Sequence, residues 1–416
     1  MTSYYKHFFI LLFCAFTFPG FGQQQVYPHR IYNSEIKSVL FYANGQPQSM
    51  PFIDMGGSIT LEFDDLGEYI RNLNYAIIHC NRDWTSSDIN ISQYLDGYDD
   101  AELNDFTSSR GTLIDYMHYR LDLPNNQMRW KISGNYILKV WDRDNNDEVL
   151  MTLRFVVYET NIRSTRFDVI RSIRQGNYDS HQDISFAIGI KDIGLDDPMR
   201  SVSASVIQNY DWNSIQDSIR PRRLFLDELF FDQHNSVVFP AMREYRLLDL
   251  RSMFSRGFGI HDIAKYQDGI NVTLHTDELR GHELKFGDDR DINGAFVIDN
   301  QDRLNNDWEV EYVYALFSLH YFNAPPDAKV YVLGAFNNFT ADENSLMEFD
   351  EENSIFFKEI LLKQGVYDYV YGVQEPGKPL TYEVTEGYDN RASNVYHALI
   401  YYRPFLGNYD RVIAYN

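Results

Sequence analysis

Apolar side chains fall on every second position in segment after segment of this 416-residue chain. Tyr136, Leu138 and Val140 do so, as do Ile184, Phe186, Ile188 and Ile190, then Val202, Ala204 and Val206, then Tyr367, Tyr369 and Tyr371. Successive side chains on an extended backbone point to opposite faces, so each set shares one face of a strand. Turn signals such as Asn44-Gly45, Gly56-Gly57 and Gln364-Gly365 separate the runs. The chain therefore reads as all-β, with two or three antiparallel sandwiches in series. Its 31 Tyr and 29 Phe supply rings suited to half-buried strands.

Residues 1–22 read as a cleavable export signal. Lys6 and His7 precede an apolar run from Phe8 to Phe18, and Pro19-Gly20-Phe21-Gly22 places small residues where a signal peptidase reads. Cys14 lacks the small residue before it that lipid attachment requires, since Leu11-Leu12-Phe13 stands there. Cleavage after Gly22 leaves 394 residues with a formal charge of −24, because the signal carries Lys6 and no acid. So acidic a chain is repelled by phosphate backbones and anionic lipid, which argues against nucleic acid as a partner. No later run reaches 18 apolar residues, so no direct membrane insertion is expected. Only Cys80 remains after cleavage, so stability must come from packing rather than disulfides.

Three units are expected after the signal. The first, residues 23–160, has strands at Ser38–Tyr42, Ser58–Asp64 and Tyr75–His79 and a hairpin turning through Asp144-Asn145-Asn146. Residues 82–126 are too long for a hairpin loop and are read as an insertion forming a surface lobe. The second unit, 161–306, opens with a linker or crossing strand over 160–180 and continues with strands near 184–190, 202–206, 236–239, 245–250, 271–275 and 295–298. The third, 307–416, holds a strand and turn at Lys329–Phe339 and strands at Ile355–Leu362 and Tyr367–Tyr371. Helix is minor, with Ile215–Ile219 and Leu247–Phe254 the ambiguous stretches.

Few residue patterns carry chemistry. Asp289-x-Asp291-x-Asn293-Gly294 matches the opening of a calcium loop, but Asn300 stands where a bidentate Glu belongs, and an acidic hairpin explains it better. Asp142-x-Asp144-x-Asn146 is weaker, with Asp147 in the Gly position and Leu153 in the Glu position. His79 and Cys80 fall on opposite faces of a strand and cannot grip one metal together, so Cys80 reads as a buried structural thiol. No Gly-x-Ser-x-Gly elbow, phosphate loop or dinucleotide fingerprint occurs. The acidic pairs Asp64-Asp65, Asp99-Asp100, Asp196-Asp197 and Asp288-Asp289 mostly read as solvated turns, and a glycosidase using such pairs is not favoured because no cleft can be argued from the sequence. Arg82-Asp83-Trp84 is either an exposed anchor or a Trp covering a sandwich edge with Arg82 paired to an acid. No catalytic, cofactor-binding or metal-binding residue is expected.

Two resemblances add to this reading. Gly334-Ala335-Phe336-Asn337-Asn338-Phe339 is similar to a turn of the early-set, immunoglobulin-like sandwiches that bind glycogen, with Phe339 in place of their Trp. That implies carbohydrate binding as an alternative function. More extensively, Ile77–Asp88, Ser92–Gly97, Ser133–Val140, Glu244–Ser252, Glu311–Leu319 and the tail through Glu386-Gly387, Ser393–His397, Tyr401–Pro404 and Tyr409–Arg411 resemble the type 9 secretion system plug protein family of Bacteroidetes-type bacteria. The resemblance implies a non-enzymatic periplasmic protein, free of cofactors, whose partner is a giant outer-membrane β-barrel translocon.

Overall fold

The computed structural model describes residues 25–160, 164–191, 193–232, 237–281, 291–302 and 307–416. The expected export signal and Asp289 lie outside the described residues. Among those described, the only α-helices are single turns at Ile91–Tyr94 and Pro198–Ser201, and the chain is all-β as expected.

The first sandwich packs two sheets. One runs Arg30–Ile31, Glu148–Tyr158, Gly134–Asp142, Leu73–Cys80, Ala101–Glu102; the other runs Ile36–Ala43, Ile59–Asp65, Met117–Leu123, Phe106–Ser108. Tyr136, Leu138 and Val140 enter the core between them with Leu61, Phe63, Tyr75, Ile77 and Phe155. The hairpin between Gly134–Asp142 and Glu148–Tyr158 turns on Asn146 and Asp147, both at positive φ, which short polar side chains tolerate. Met117–Leu123 lies within the stretch expected as a surface insertion, yet it is an integral strand paired along Ile59–Asp65. Its Tyr119, Leu121 and Leu123 alternate into the core, a period-two signal present in the sequence.

The middle sandwich faces Ser164–Arg171, His181–Gly189, Glu228–Phe231 and Arg223–Phe225 against Gln216–Ile219, Val202–Gln208, Tyr396–Tyr402 and Arg411–Tyr415. The 160–180 stretch thus contributes an edge strand. A third core lies between a sheet built on Gly365–Gln374 and one built on Tyr312–His320. Tyr367, Tyr369 and Tyr371 all point into it, and Arg246–Asp249 and Ile270–Leu274 belong to its sheets. Neither helix-ambiguous stretch is helical: Gln216–Ile219 is a strand, and Leu247–Phe254 begins in the strand Arg246–Asp249 and continues as a non-helical loop.

Sheet pairing does not follow the division expected at 306/307. Arg246–Ile298 supplies strands to the third sandwich, whereas Tyr396–Tyr402 pairs residue for residue with Val202–Gln208 of the middle one. The third sandwich is thus inserted between strands of the middle one. Alternation marks which residues are extended but is silent about which distant strand they will meet, so this crossing is invisible locally.

The outer face of the first sandwich's larger sheet packs on the outer face of the middle sandwich. Phe52, Cys80, Trp84, Ile137 and Val156 meet Ile207, Trp212, Leu399, Tyr401 and Val412 in a second buried cluster. Strands at this joint are buried on both faces. Ala398, Ile400 and Tyr402 enter the middle core while Leu399 and Tyr401 enter the joint. A fully buried Leu or Phe contributes about 1.5–3 kcal/mol, so the joint is a core in its own right rather than a loose contact.

Candidate functional site

The sequence candidates around Cys80 lie in that joint. Trp84 is buried there, edge-on to Trp212 at 5.3 Å between ring centres, with the Arg154 guanidinium 4.6 Å from its own ring centre. Arg82 donates from Nη1 to Ser203 Oγ at 2.9 Å, lies 3.3 Å from Asp217, and its backbone N–H donates to Asp410 at 3.0 Å. Tyr401 donates its hydroxyl to Asn135 Oδ1 at 2.9 Å, and Asn135 in turn donates to the carbonyls of Asn81 and Arg82. Arg82 and Trp84 therefore hold the joint together, with Arg82 paired to acids. Burial pushes the Cys80 thiol up to about 12, so it is protonated at neutral pH.

His79 faces the other way, as its strand position requires. Its Nδ1 sits 2.8 Å from Ser87 Oγ and its ring packs edge-on against Tyr136. Burial pushes this imidazole down to about 4, so it is neutral in the folded protein at pH 7. Gly134 sits against it at φ +157, and a Cβ there would lie 2.1 Å from His79 Nε2. Only glycine fits.

The calcium-like stretch serves as a turn. Asn293 (φ +54) and Gly294 (φ +86) adopt the left-handed conformation of a tight turn, and Asp291 Oδ2 accepts from Tyr245 N–H at 2.7 Å. Asp368 Oδ2 accepts from the N–H groups of Ile292 and Gly294 at 2.6 and 3.0 Å, so both carboxylates are engaged with backbone donors. In the weaker acidic turn, Asp142 Oδ1 accepts from Asp144 N–H at 3.0 Å. No group of three His, Cys, Asp or Glu side chains among the described residues is arranged to hold a metal. The glycogen-module turn is likewise internal. Phe339 is 4 % exposed and lies edge-on to Tyr245 at 6.2 Å, so it offers no surface platform for a sugar ring.

Two networks of buried charge were not visible in sequence. The first ties the first sandwich to the third. Asp64, from the pair Asp64-Asp65, lies 2.6 Å from Lys363 Nζ and 2.7 Å from His118 Nδ1, and accepts the Tyr312 hydroxyl at 2.6 Å. Tyr312 also meets Ser38 at 2.7 Å, and Lys363 sits 4.3 Å from the centre of the Tyr116 ring. Burial alone would push Asp64 up, but Lys363 and His118 outweigh it and hold the carboxyl below its ordinary range. Nearby, Glu311 accepts from Leu113 and Ile114 N–H at 2.6 and 3.3 Å.

The second network anchors the chain as it leaves the third sandwich. Glu386 lies 3.0 Å from Arg246 and 2.6 Å from Arg280, and Arg246 reaches Asp277 at 2.6 Å. Tyr369 and Tyr371 both donate to Asp277 Oδ2, at 2.7 and 2.9 Å. Burial opposes the Glu386 charge, and the two guanidiniums restore it.

One end of the middle sandwich is open. Phe405 and Leu406 are 91 % and 93 % exposed in the loop after Tyr396–Tyr402, and Leu226 is 81 % exposed at the tip joining Arg223–Phe225 to Glu228–Phe231. Ile190 N–H donates to the Asp227 carbonyl beside Leu226, and Asp196 N–H donates to the side-chain hydroxyl of Tyr402, which precedes the Phe405-Leu406 loop. Exposed apolar tips of this kind suit contact with another surface.

Residues 36–159 match the family model described as type 9 secretion system plug protein 1st domain. Over nearly its whole length the chain is also similar to the crystal structure of a hypothetical protein from Parabacteroides merdae. The two are 30 % identical, the match covers 94 % of this chain and 99 % of that one, and the TM-score is 0.89. No curated protein matches.

Proposed function

Given that the chain belongs to the type 9 secretion system plug protein family, we propose that it is a non-enzymatic plug that closes the periplasmic opening of the giant outer-membrane β-barrel translocon of that system. Export through the signal at 1–22 would deliver it to the periplasm, where it associates with the outer membrane through the barrel rather than by inserting. The observation that carries the reading is the locking of the family-matched first sandwich to the rest of the chain. A face-to-face apolar joint binds it to the middle sandwich, and the Asp64–Lys363 pair binds it to the third. A plug must occlude as one folded body, because a wide polar lumen leaks small solutes around anything loosely tethered.

The mechanism is steric and electrostatic. The body fills the mouth between export events and is displaced when cargo passes. Its exposed tips, Phe405-Leu406 and Leu226, supply the apolar anchors that meet the barrel rim. Pull-down of a tagged chain from detergent-solubilised outer membrane tests this. A giant barrel should co-purify with the natural chain and be lost with Phe405→Ser/Leu406→Ser; a chain that never brings down a barrel refutes the proposal.

A further inference from the structure

Between the middle and third sandwiches lies a cavity of about 410 Å³ whose lining includes Tyr245, Phe339, Tyr382 and Tyr388. Asp211 opens into the same space. Its Oδ1 accepts the Asn213 N–H at 2.8 Å as the cap of the short turn Trp212–Ser214, the Asn213 side chain also favours its charged form, and among the described residues no Lys, Arg or His is paired with it. We propose that this cavity binds an organic cation, an alkylammonium or guanidinium group, held between aromatic rings with the Asp211 carboxylate as counter-ion.

Three observations favour a cation over a neutral polar ligand. Aromatic rings around a recess attract cations through their quadrupoles. The amide donors that a sugar's oxygens would need are already engaged. Gln208 Nε2 donates to the Pro240 carbonyl and the Tyr396 hydroxyl, Asn209 Nδ2 to Tyr245 and Asn394, and Asn213 Nδ2 to the carbonyls of Asn338 and Phe339. The lining also includes the Asp211 carboxylate and tyrosine hydroxyls, whose oxygens can accept from an ammonium or guanidinium N–H. Burial also pushes the Asp211 carboxyl up to about 6 against its hydrogen bonds from Asn213, so a bound cation would favour its charged form. Among the described residues, Tyr245 and Tyr382 interact electrostatically with Asp211, and neither supplies a positive charge.

The site is independent of the plug reading, since it lies between two sandwiches of the chain itself. Calorimetric titration of the full mature chain at pH 7.5 with n-butylammonium, with n-butanol as its neutral counterpart, tests it. The ammonium should bind at least tenfold more tightly than the alcohol, and Asp211→Asn, whose amide still caps the turn, should erase that preference. Affinity should also fall as pH drops below about 6, an effect readable on the unaltered chain if the variant does not fold. Capped lysine and arginine amides identify the source of the cation. Binding as tight as butylammonium means that a partner's side chain is the occupant, and exclusion means a free amine. Equal affinity for amine and alcohol, or binding of maltoheptaose that survives Asp211→Asn, overturns the proposal.

Discussion

The contact between the first and third sandwiches and the cavity between the middle and third each draw a carboxylate into the protein, with opposite results. Asp64 meets Lys363, His118 and Tyr312 and stays charged below its ordinary range. Among the described residues the Asp211 carboxylate takes hydrogen bonds only from Asn213, beside an aromatic-lined cavity, and burial pushes it up to about 6. A buried ion pair is weak evidence for net stability, but removing one partner is severe because the other charge is stranded. The first contact therefore acts as a lock, and the second is a vacancy in charge that the fold tolerates.

The largest effect should come from making Asp64 resemble Asp211. Lys363→Met strands the buried carboxylate and should lower unfolding stability by about 3–5 kcal/mol, measured by urea denaturation at pH 7. The loss should shrink as pH falls, first above and then below the unfolded carboxylate value of about 4. In the natural chain Asp64 is depressed, so its contribution is present above the unfolded carboxylate range and is lost as acid protonates it. The variant's raised carboxyl protonates early and escapes the penalty. A gap that is constant with pH would show that Lys363 acts through packing alone.

The reverse change should do the reverse. Asp211 is raised in the folded state, so its ionisation weakens folding above about pH 6, and stability from this group returns as pH falls toward 4. Asp211→Asn should stabilise the chain at pH 7 by about 1–2 kcal/mol and flatten its profile between pH 4 and 7. A destabilised variant would mean that the capping bond outweighs the buried charge. At Cys80, burial alone sets the chemistry, so the thiol should resist iodoacetamide at pH 8 in the native protein and react fully in denaturant. The smallest effect on folding belongs to the open tips. Phe405→Ser/Leu406→Ser should change stability by no more than about 0.5 kcal/mol while abolishing barrel capture.

What sequence could and could not tell follows from the range of each interaction. Strands were legible because alternation is local: Tyr136, Leu138, Val140 and the Tyr367–Tyr371 set all face cores as their spacing requires. The same signal marks Met117–Leu123, although the length of the segment around it suggested a surface insertion. Pairing was not legible, because Val202–Gln208 meets Tyr396–Tyr402 across the whole inserted third sandwich. Lys363 reads as the polar end of a strand before the Gln364-Gly365 turn, and only the fold brings it to Asp64. Asp64-Asp65 looked like a solvated turn for the same reason, yet both carboxylates are buried, with Asp65 paired to Arg71 at 2.9 Å. Trp84 was legible as an apolar anchor, but whether its partner lay inside or outside the chain depended on a joint that no local pattern encodes.

The central claim is that this body works by filling a pore. Uptake of a large polar antibiotic by cells lacking the chain tests it most directly. Deletion should sensitise the cells, and the natural chain supplied in trans should restore resistance. Unchanged sensitivity in the deletion strain, with the barrel still assembled in its outer membrane, would contradict it.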